Sequence, residues 1–478
     1  MNRNEQLEMN FDTPSGNRFR NCLEHGIFTV LFEHAAPGAE LPDDEAAARL
    51  AALEAAVLGI RQIPCALALT DTRRAAGGRR AVEYAALLPE AHRNSHVIYL
   101  SGQDTAPKEA AGLWAAARSA RLANLVAVSG NARPGENARA TRKRHFTESV
   151  AMLEQLSRLP DAAQFYPGAV VNPCLHHAPA LYAGLFKMVK KLRMGAQFIV
   201  AQAGFDMAQL DALRQFMIRR SLFDPLLCRL ILLSPERMEK ISAGAMPGVT
   251  ISDDFRAILD KELRFSAGQF EAAQYRRLEL QAAGCRLLGC TGIQIAGVES
   301  AEKMRVIGER IHAALQEFTS LARWIEEYNS YLARTDMVRR NEMFYLYEQL
   351  LSPAGQTGAA SPAVEFQLRK PGLAERSREK AARFFFPDAD RQPAGERRWL
   401  KRLLAGCRNC NACRLPQTQF LCPEHCPKHL SNGPCGGVRN NGFCETGNFP
   451  CVHLTIWERA ERRKECETLE ETFIPPAD

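Results

Sequence analysis

The sequence predicts an α/β fold, in which an eight-stranded parallel TIM barrel is followed by a small cysteine-rich domain. Two patterns indicate this arrangement. Over residues 25–325, short apolar runs alternate with amphipathic helical stretches, which is typical of β/α repeats rather than of hairpins. Towards the other end of the 478-residue chain, eight of the 15 cysteines lie between Cys407 and Cys451. Two different kinds of folding unit therefore share the chain.

The length and composition fit this division. With 46% hydrophobic and 24% charged residues, the chain resembles a globular protein. It is too long for one ordinary domain and suits a large barrel with a small domain beside it. We assign residues 1–24 to an N-terminal tail, 25–325 to the barrel, 326–395 to a helical extension with a linker, and 396–478 to the cysteine-rich domain.

The N-terminal segment, the apolar runs and the net charge predict the location of the protein and bear on its partners. The N-terminus has no apolar core of signal-peptide length, and no apolar run is long enough to span a membrane. We therefore expect a cytoplasmic protein with no membrane span. The net charge is +7, but the basic residues between Arg369 and Arg402 are interleaved with Glu and Asp. This pattern favours a solvated linker face over a nucleic-acid site.

Eight apolar runs are the candidate strands, at residues 27–32, 65–69, 96–100, 125–128, 168–171, 197–201, 228–232 and 292–295. Helical patterns separate them, among them residues 44–58, 109–121, 149–156, 181–194 and 207–219. Eight parallel strands that are buried on both faces close most economically as a TIM barrel. A doubly wound open sheet is the alternative, but no G-x-G-x-x-G turn follows the first strand.

The residues that close these runs are the candidate site, because a TIM barrel places its chemistry at the carboxyl ends of its strands. They are polar and varied: Glu33-His34, Thr70-Asp71, Ser129-Gly130-Asn131, Asn172 with His176 just beyond, and Gln202. A carboxylate at the mouth of a barrel loses water on several sides, which suits it to donate a proton. Glu33 is therefore the candidate general acid, although a lone strand-end Glu is more often a simple surface carboxylate.

The clustered cysteines predict a metal centre. They are Cys407, Cys410, Cys413, Cys422, Cys426, Cys435, Cys444 and Cys451, and the first three have the C-x2-C-x2-C spacing at which thiolates converge on one inorganic centre. In a reducing compartment, metal ligation is favoured over disulfides. A [4Fe–4S] cluster with or without zinc, a structural zinc site and a nucleic-acid-binding zinc ribbon all remain open. The ribbon is disfavoured, because aromatic residues interleaved with Lys and Arg are sparse here.

The barrel segments resemble the methylenetetrahydrofolate reductase family, whose fold is a flavin-binding TIM barrel. The longest match is residues 190–202, which end in Gln202 and are followed by Phe205-Asp206. It differs from the family pattern K-K-x-x-x-G-A-x-F-x-x-T-Q-x-x-x-D only at Ala201. Shorter matches are residues 32–33, 125–131, 169–173, 246–249 and 292–295, so that the resemblance spans residues 25–325.

The resemblance implies roles for individual residues. Glu33 would protonate N10 of the folate and thereby open its imidazolidine ring, and Gln202 would hydrogen-bond the pterin. The flavin is expected to be FAD, with FMN as the less favoured choice. Its binding residues would be Thr70, Ser129, Gly130, Asn131, Asn172, His176 and Lys191. In this chemistry the flavin transfers the hydride, while the protein supplies orientation and one proton.

Two departures from the family pattern concern the same site. Asn131 replaces the family's Asp near the pyrimidine edge of the flavin, and the loss of that negative charge should make the flavin easier to reduce. The third strand reads Ile98-Tyr99-Leu100-Ser101 where the family has T-C-x-D. Both indicate a divergent member, with altered redox tuning or weakened catalysis.

The cysteine-rich segment resembles the module that is fused to, or encoded beside, methylenetetrahydrofolate reductases of acetogenic and related bacteria. The matching strings are residues 406–413, 422–428, 432–437, 444–445 and 456–459, among which N-G-P-C-G-G at 432–437 is the most specific. The resemblance implies an enzyme that reduces 5,10-methylenetetrahydrofolate, with electrons from NAD(P)H or from an electron-transfer protein. A non-catalytic electron-transfer or scaffold protein and a reductase that runs in the oxidative direction are the alternatives. The oligomeric state stays open, a homo-oligomer included.

Overall fold

A computed structural model gives the fold of the chain, with side chains. It describes residues 16–71, 78–175, 177–334, 368–387, 398–410 and 412–477. Of the predicted site residues, His176 lies outside this set, and so does most of the predicted linker, because residues 335–367 and 388–397 are not described.

Eight parallel strands form a closed barrel in which each strand pairs with its neighbours in chain order and β8 pairs with β1. The strands are β1 Thr29–Ala35, β2 Cys65–Thr70, β3 Val97–Ser101, β4 Asn124–Val128, β5 Tyr166–Val171, β6 Phe198–Ala201, β7 Leu226–Ile231 and β8 Gly292–Ala296. The predicted TIM barrel is thereby confirmed. The continuous apolar character of the runs follows from this topology, since helices cover one face of each strand and the barrel core covers the other.

Helices surround the barrel and continue into the C-terminal module. Those up to the barrel's end are α1 Arg18–Glu24, α2 Asp43–Leu58, α3 Ala81–Ala85, α4 Glu90–Arg93, α5 Ala110–Ser119, α6 Ala138–Thr141, α7 Ser149–Ser157, α8 Ala178–Arg193, α9 Met207–Arg219, α10 Pro235–Ser242, α11 Asp253–Phe265, α12 Ala267–Leu287, α13 Ala301–Glu317 and α14 Leu321–Arg334. Those that follow are α15 Leu373–Phe385, α16 Arg398–Ala405, α17 Val452–Arg463 and α18 Cys466–Glu471.

Several of these helices begin at a side chain that caps their free amide groups. Ser234, Ser252, Ser266 and Ser300 accept a hydrogen bond from the amide three residues on, and Asp206 accepts one from Ala208. Such caps satisfy amides that have no partner within the helix. Asp206, Ser234 and Ser300 cap helices that follow β6, β7 and β8, and they therefore fix where those three loops at the barrel mouth end.

The amino end of the barrel is closed by α1, which belongs to the stretch assigned to a tail. Phe19 of α1 lies edge-on against Phe198 and Tyr166, with ring centroids 5.4 and 6.2 Å away, and those two rings stack on each other at 5.2 Å. All three side chains are buried. Since aromatic packing fills this end, the open end of the barrel is the one at the carboxyl termini of the strands.

The cysteine-rich module packs against α8 of the barrel through α17. Trp457 stacks on Tyr182 with a centroid distance of 5.6 Å and also contacts Phe186. Val438, Cys451, Leu454 and Trp457 belong to the same apolar core as the barrel's outer layer. A second, smaller core joins α15 and α16 to the first half of the module. The described helices include none that is long and apolar enough to cross a membrane.

Candidate functional site

A cavity of about 780 Å³ occupies the mouth of the barrel. The predicted site residues line it together: Glu33, Thr70, Ser129, Gly130, Asn131, Asn172, Lys191 and Gln202. Volumes of this order are typical of sites for small molecules and cofactors. The structure thus gathers at one place the residues that the strand ends and the family resemblance singled out, while their roles stay predictions.

Glu33 lies one step deeper than the sequence indicated. β1 continues to Ala35, because its pairing with β2 runs as far as Ala35 opposite Thr70. Glu33 and His34 are therefore inside the strand and face opposite sides of the sheet. Glu33 faces the cavity, whereas His34 is buried against Tyr84 of α3.

A hydrogen-bonded network at the floor of the cavity holds Glu33. Arg229 of β7 donates from Nε to Oε2 at 2.5 Å and from Nη2 to Oε1 at 2.7 Å. Gln294 of β8 donates to the same Oε2 at 2.7 Å and accepts from the Tyr99 hydroxyl at 2.7 Å. Arg229 also donates from Nη1 to Oε1 of Gln202 at 2.9 Å. One guanidinium therefore joins the two residues to which the family resemblance gives the chemistry of the folate.

Sequence reasoning missed Arg229, Gln294 and Tyr99, since all three lie inside strands and not at their ends. The signal was present: a charged residue in the otherwise apolar strand Leu-Leu-Cys-Arg-Leu-Ile needs a partner in order to be buried. Burial and the negative charge of Glu33 raise the pKa of Tyr99, so that its hydroxyl keeps its proton.

The cavity carries more positive than negative side chains. Arg79, Arg80, Arg133, Lys187, Lys191 and Arg229 line it, against Glu33, Asp71 and Asp104. Within the described part of the chain, Arg79 Nη1 and Arg133 Nε are buried and have no hydrogen-bond partner. Burial, together with nearby Lys187, lowers the pKa of Lys191 to about 7, and its ammonium donates to the Val170 carbonyl at 2.5 Å. This donor set fits a ligand with phosphate groups, as a flavin nucleotide would be.

The C-terminal module forms one wall of the cavity through Pro434, Cys435 and Gly436. Lys187 of α8 donates to the carbonyls of Gly433 and Pro434 at 3.0 and 3.1 Å. Asn172 at the end of β5 donates to the carbonyls of Gly248 and Gly436 at 3.0 and 3.4 Å. Asn172, which the resemblance assigns to the flavin, therefore also holds the module in place.

Glu148 anchors the same loop from the start of α7. Its Oε2 accepts hydrogen bonds from the backbone amides of Ser431 and Asn432, both at 3.0 Å, and from the Asn432 side chain at 2.9 Å. Its Oε1 accepts from Lys187 at 2.5 Å. Both charges are buried and paired, so this contact fixes the position of the N-G-P-C-G-G string over the barrel.

The structure divides the eight clustered cysteines into two groups of four. The first, Cys407, Cys410, Cys413 and Cys422, lies beside the end of α16 and the small second core. The second, Cys426, Cys435, Cys444 and Cys451, lines a separate cavity of about 20 Å³. Burial raises the pKa of Cys426 to about 12, and the charges of Cys435 and Cys444 add to the rise, as they do for Cys451. Cys435 lines both this small cavity and the large one.

All 15 cysteines lie in the described part of the chain, and all are free thiols. Four thiols around a small cavity are a donor set that suits zinc or an iron–sulfur cluster. Among the described residues, no three His, Cys, Asp or Glu side chains already stand in the arrangement that a single metal ion needs. The metal centre stays a prediction.

Comparisons with known proteins concern the two parts of the chain separately. A solved structure of an uncharacterized protein from Clostridium thermocellum, which binds two copies of 5-methyl-5,6,7,8-tetrahydrofolic acid, is similar at a TM-score of 0.46 and 12% identity. That match covers 62% of this chain and 99% of the other. No curated protein matches the chain. Residues 386–478 match the family described as Methylene-tetrahydrofolate reductase C terminal. The module that closes the barrel mouth is therefore similar to the C-terminal part of methylenetetrahydrofolate reductases, as its cysteine pattern predicted.

Proposed function

We propose that this protein is a flavin-dependent methylenetetrahydrofolate reductase, which reduces 5,10-methylenetetrahydrofolate to 5-methyltetrahydrofolate in one-carbon metabolism. One observation carries the proposal. A module similar to the reductase C-terminal family forms a wall of a TIM-barrel cavity, and Glu33, Gln202 and Lys191 meet in that cavity. Module and barrel would thus serve one reaction.

The cavity would hold the flavin, FAD in preference to FMN. Thr70, Ser129, Gly130, Asn131 and Asn172 would bind it through hydrogen bonds. Lys191, with Arg79 and Arg133, would neutralise its phosphate groups, which agrees with the positive lining of the cavity. When it is bound, the flavin supplies the hydride transfer that no side chain can perform.

The floor of the cavity would hold the folate. Gln202 would hydrogen-bond the pterin ring and so position the one-carbon group for the transfer. Glu33 would exchange a proton with N10, because opening the imidazolidine ring places a proton on that nitrogen. Positioning and one proton transfer are the contributions that protein groups make in such reactions.

Electrons would reach the flavin from NAD(P)H or from an electron-transfer protein by way of the module. Cys435 lies between the two cavities, so a [4Fe–4S] cluster on Cys426, Cys435, Cys444 and Cys451 would be one side chain away from a ligand in the barrel. Zinc on the same thiolates would instead brace the wall. A cytoplasmic location and a homo-oligomeric state stay predictions.

The test is the isolation of the protein without oxygen, followed by absorbance spectra, metal analysis and turnover of methylenetetrahydrofolate with NADH, NADPH and a reduced viologen dye. Bound flavin and turnover are expected. Glu33→Gln should lower kcat about 100-fold to 10,000-fold while flavin stays bound, since it removes one acid–base group. Asp104→Asn is the matched control, because Asp104 lines the same cavity but pairs with Arg133 and Arg144.

Two outcomes would count against the proposal at different points. Full activity in Glu33→Gln would remove Glu33 from the proton transfer. Pure protein that binds no flavin and turns over no folate would favour the non-catalytic role, in which the module docks a redox partner.

A further inference from the structure

The Glu33 carboxylate accepts three hydrogen bonds, which is more than a carboxyl group that acts as a proton donor needs to accept. The guanidinium of Arg229 meets both of its oxygens, and Gln294 donates a third bond to Oε2. The side chains of Arg229 and Glu33 are only 13% and 18% exposed. A protonated carboxyl would accept these three bonds less well, because its hydroxyl oxygen is a weaker acceptor and its proton would have to point away from the donors.

The donors around Glu33 are themselves fixed. The Tyr99 hydroxyl holds the Gln294 side-chain oxygen, which orients the Gln294 amide nitrogen towards Glu33. The Gln202 oxygen holds Nη1 of Arg229, which leaves the other two guanidinium nitrogens for the carboxylate. Residues of β3, β7 and β8, together with Gln202 directly after β6, therefore form one preorganised anion site around a residue of β1.

Two effects oppose each other at Glu33. Burial disfavours a charged carboxylate, whereas a bidentate guanidinium and an amide donor favour it. The charged and titratable groups that face Glu33 in the described part of the chain include Arg229 from β7 and Tyr99 from β3, and β6 and β8 contribute the amides of Gln202 and Gln294. At Arg229 burial acts to lower the pKa, but the charge of Glu33 and its hydrogen bond raise it, so the attraction within the pair exceeds the effect of burial there.

We propose that Arg229 is a positioning residue that keeps Glu33 a carboxylate, so that the resting site offers its ligand a proton acceptor. No assigned role accounts for Arg229, and the contacts that it makes join Glu33 and Gln202 alone among the predicted site residues.

The consequence for the reaction rests on the proposed function. If a bound flavin accepted a hydride from the methyl group of 5-methyltetrahydrofolate, N10 would close the ring onto that carbon, and Glu33 would accept the proton that N10 loses. A charged Glu33 is ready for this direction. In the reductive direction, Glu33 would first have to take up a proton, which would weaken its hydrogen bonds with Arg229. The resting protein would therefore hold Glu33 in the protonation state that the oxidative half-reaction needs.

The test measures the charge of Glu33 and needs neither folate nor flavin. Protein with 13C-labelled glutamate carboxyl groups is titrated between about pH 5 and pH 9, and the Glu33 signal is assigned by its loss in Glu33→Gln. In the wild-type protein the signal should stay at the carboxylate position throughout. In Arg229→Gln the midpoint of the titration should lie about 1–3 pH units above the ordinary value for glutamate, and so within this range, because burial is no longer opposed by the neighbouring positive charge.

Two further variants separate positioning from general effects. Arg133 also lines the cavity but pairs with Asp104. Arg133→Gln therefore removes a cation from the cavity without touching Glu33, and it should leave the Glu33 signal unchanged. Arg229→Lys keeps the charge without the bidentate fork and should titrate between the wild type and Arg229→Gln. It also serves as the folded reference if the glutamine variant is unstable.

The inference is overturned if Glu33 takes up its proton above pH 5 in the wild type, or if its signal in Arg229→Gln matches the wild type. Failure of the proposed function would look different: the titration would follow the expected pattern in protein that neither binds flavin nor turns over folate.

Discussion

At the scale of single residues, the ion pair between Glu148 and Lys187 helps to hold the module on the barrel, and each of the two side chains is only 4% exposed. Burial acts to raise the pKa of Glu148, but Lys187 and Asn432 lower it to about 2. A carboxyl with a depressed pKa stabilises the fold above its unfolded value, here 4.5, and loses that contribution as the pH falls through its folded value. Glu148→Gln should therefore cost about 3–5 kcal/mol of unfolding free energy at neutral pH, because Lys187 keeps its buried charge.

Urea denaturation measures this loss, and tryptophan emission measures detachment, because Trp457 lies at the interface with α8. In the wild type the emission should change as the pH falls from 4.5 towards 2, and in Glu148→Gln that step should be absent. Glu90→Gln breaks an exposed pair with Arg121 and should cost less than about 1 kcal/mol. Equal costs for the two variants would mean that the buried pair does not hold the interface.

The sequence predicted the polar and charged residues of the cavity that its patterns single out. It did not predict contacts between residues that lie far apart in the chain. Glu33, Gln202 and Lys191 were found, and they share one cavity. The contact between Arg229 and Glu33 spans 196 positions, and it depends on the register that pairs β7 with β8 and β8 with β1. No local sequence pattern specifies that register. The sequence therefore shows that Arg229 is a charge in an apolar strand, but it does not show that its partner is Glu33.

At the scale of elements, the turn that follows α10 limits how closely the module approaches. Gly248 has a φ of +78°, and a Cβ placed on it would lie 2.5 Å from the Gly436 carbonyl oxygen. Gly248→Ala should therefore push residues 433–437 away from the cavity and cost at least about 1 kcal/mol more than backbone strain alone. Hydrogen exchange at those residues and urea denaturation provide the measurements.

Gly244→Ala is the matched control, because Gly244 has a φ of +70° and no atom within 4 Å of its added Cβ. It should show the strain of the left-handed backbone without any contact with the module. Similar hydrogen exchange at residues 433–437 in both variants would show that Gly248 does not set the approach of the module.

Elements were predicted more completely than their contacts. All eight strands were found, since each is a compact apolar run, although β1 extends to Ala35 because of its pairing with β2. The bounds of helices α10, α11 and α12, which lie between the last two strands, were not given from the sequence. The docking of α17 on α8 could not be foreseen either, because an apolar helix face does not show which surface it covers.

At the scale of the whole molecule, the module and the barrel share one apolar core and one cavity wall. If the thiolates hold a metal, its removal by a chelator should lower Tm by more than about 5 °C and weaken flavin binding at the same time. Cys435→Ser should reproduce both effects, whereas Cys466→Ser should leave metal content and flavin affinity unchanged, because Cys466 lies outside both cysteine groups and contacts Glu461. Scanning calorimetry and flavin titration test this. Loss of metal without loss of flavin affinity would show that the two parts act separately.

Pro434, Cys435 and Gly436 form one wall of the cavity, and this wall affects where a ligand can enter or leave. On the side of the module the cavity is bounded by buried groups such as Lys187 and Asn172, whereas on another side Asp104 and Arg133 keep 40% and 35% of their side chains exposed. If a small molecule enters past these two residues, and if a metal centre in the module supplies electrons, the two would reach the cavity through different parts of its lining. Under the proposed function, a bound folate would then not have to leave before the next pair of electrons arrives.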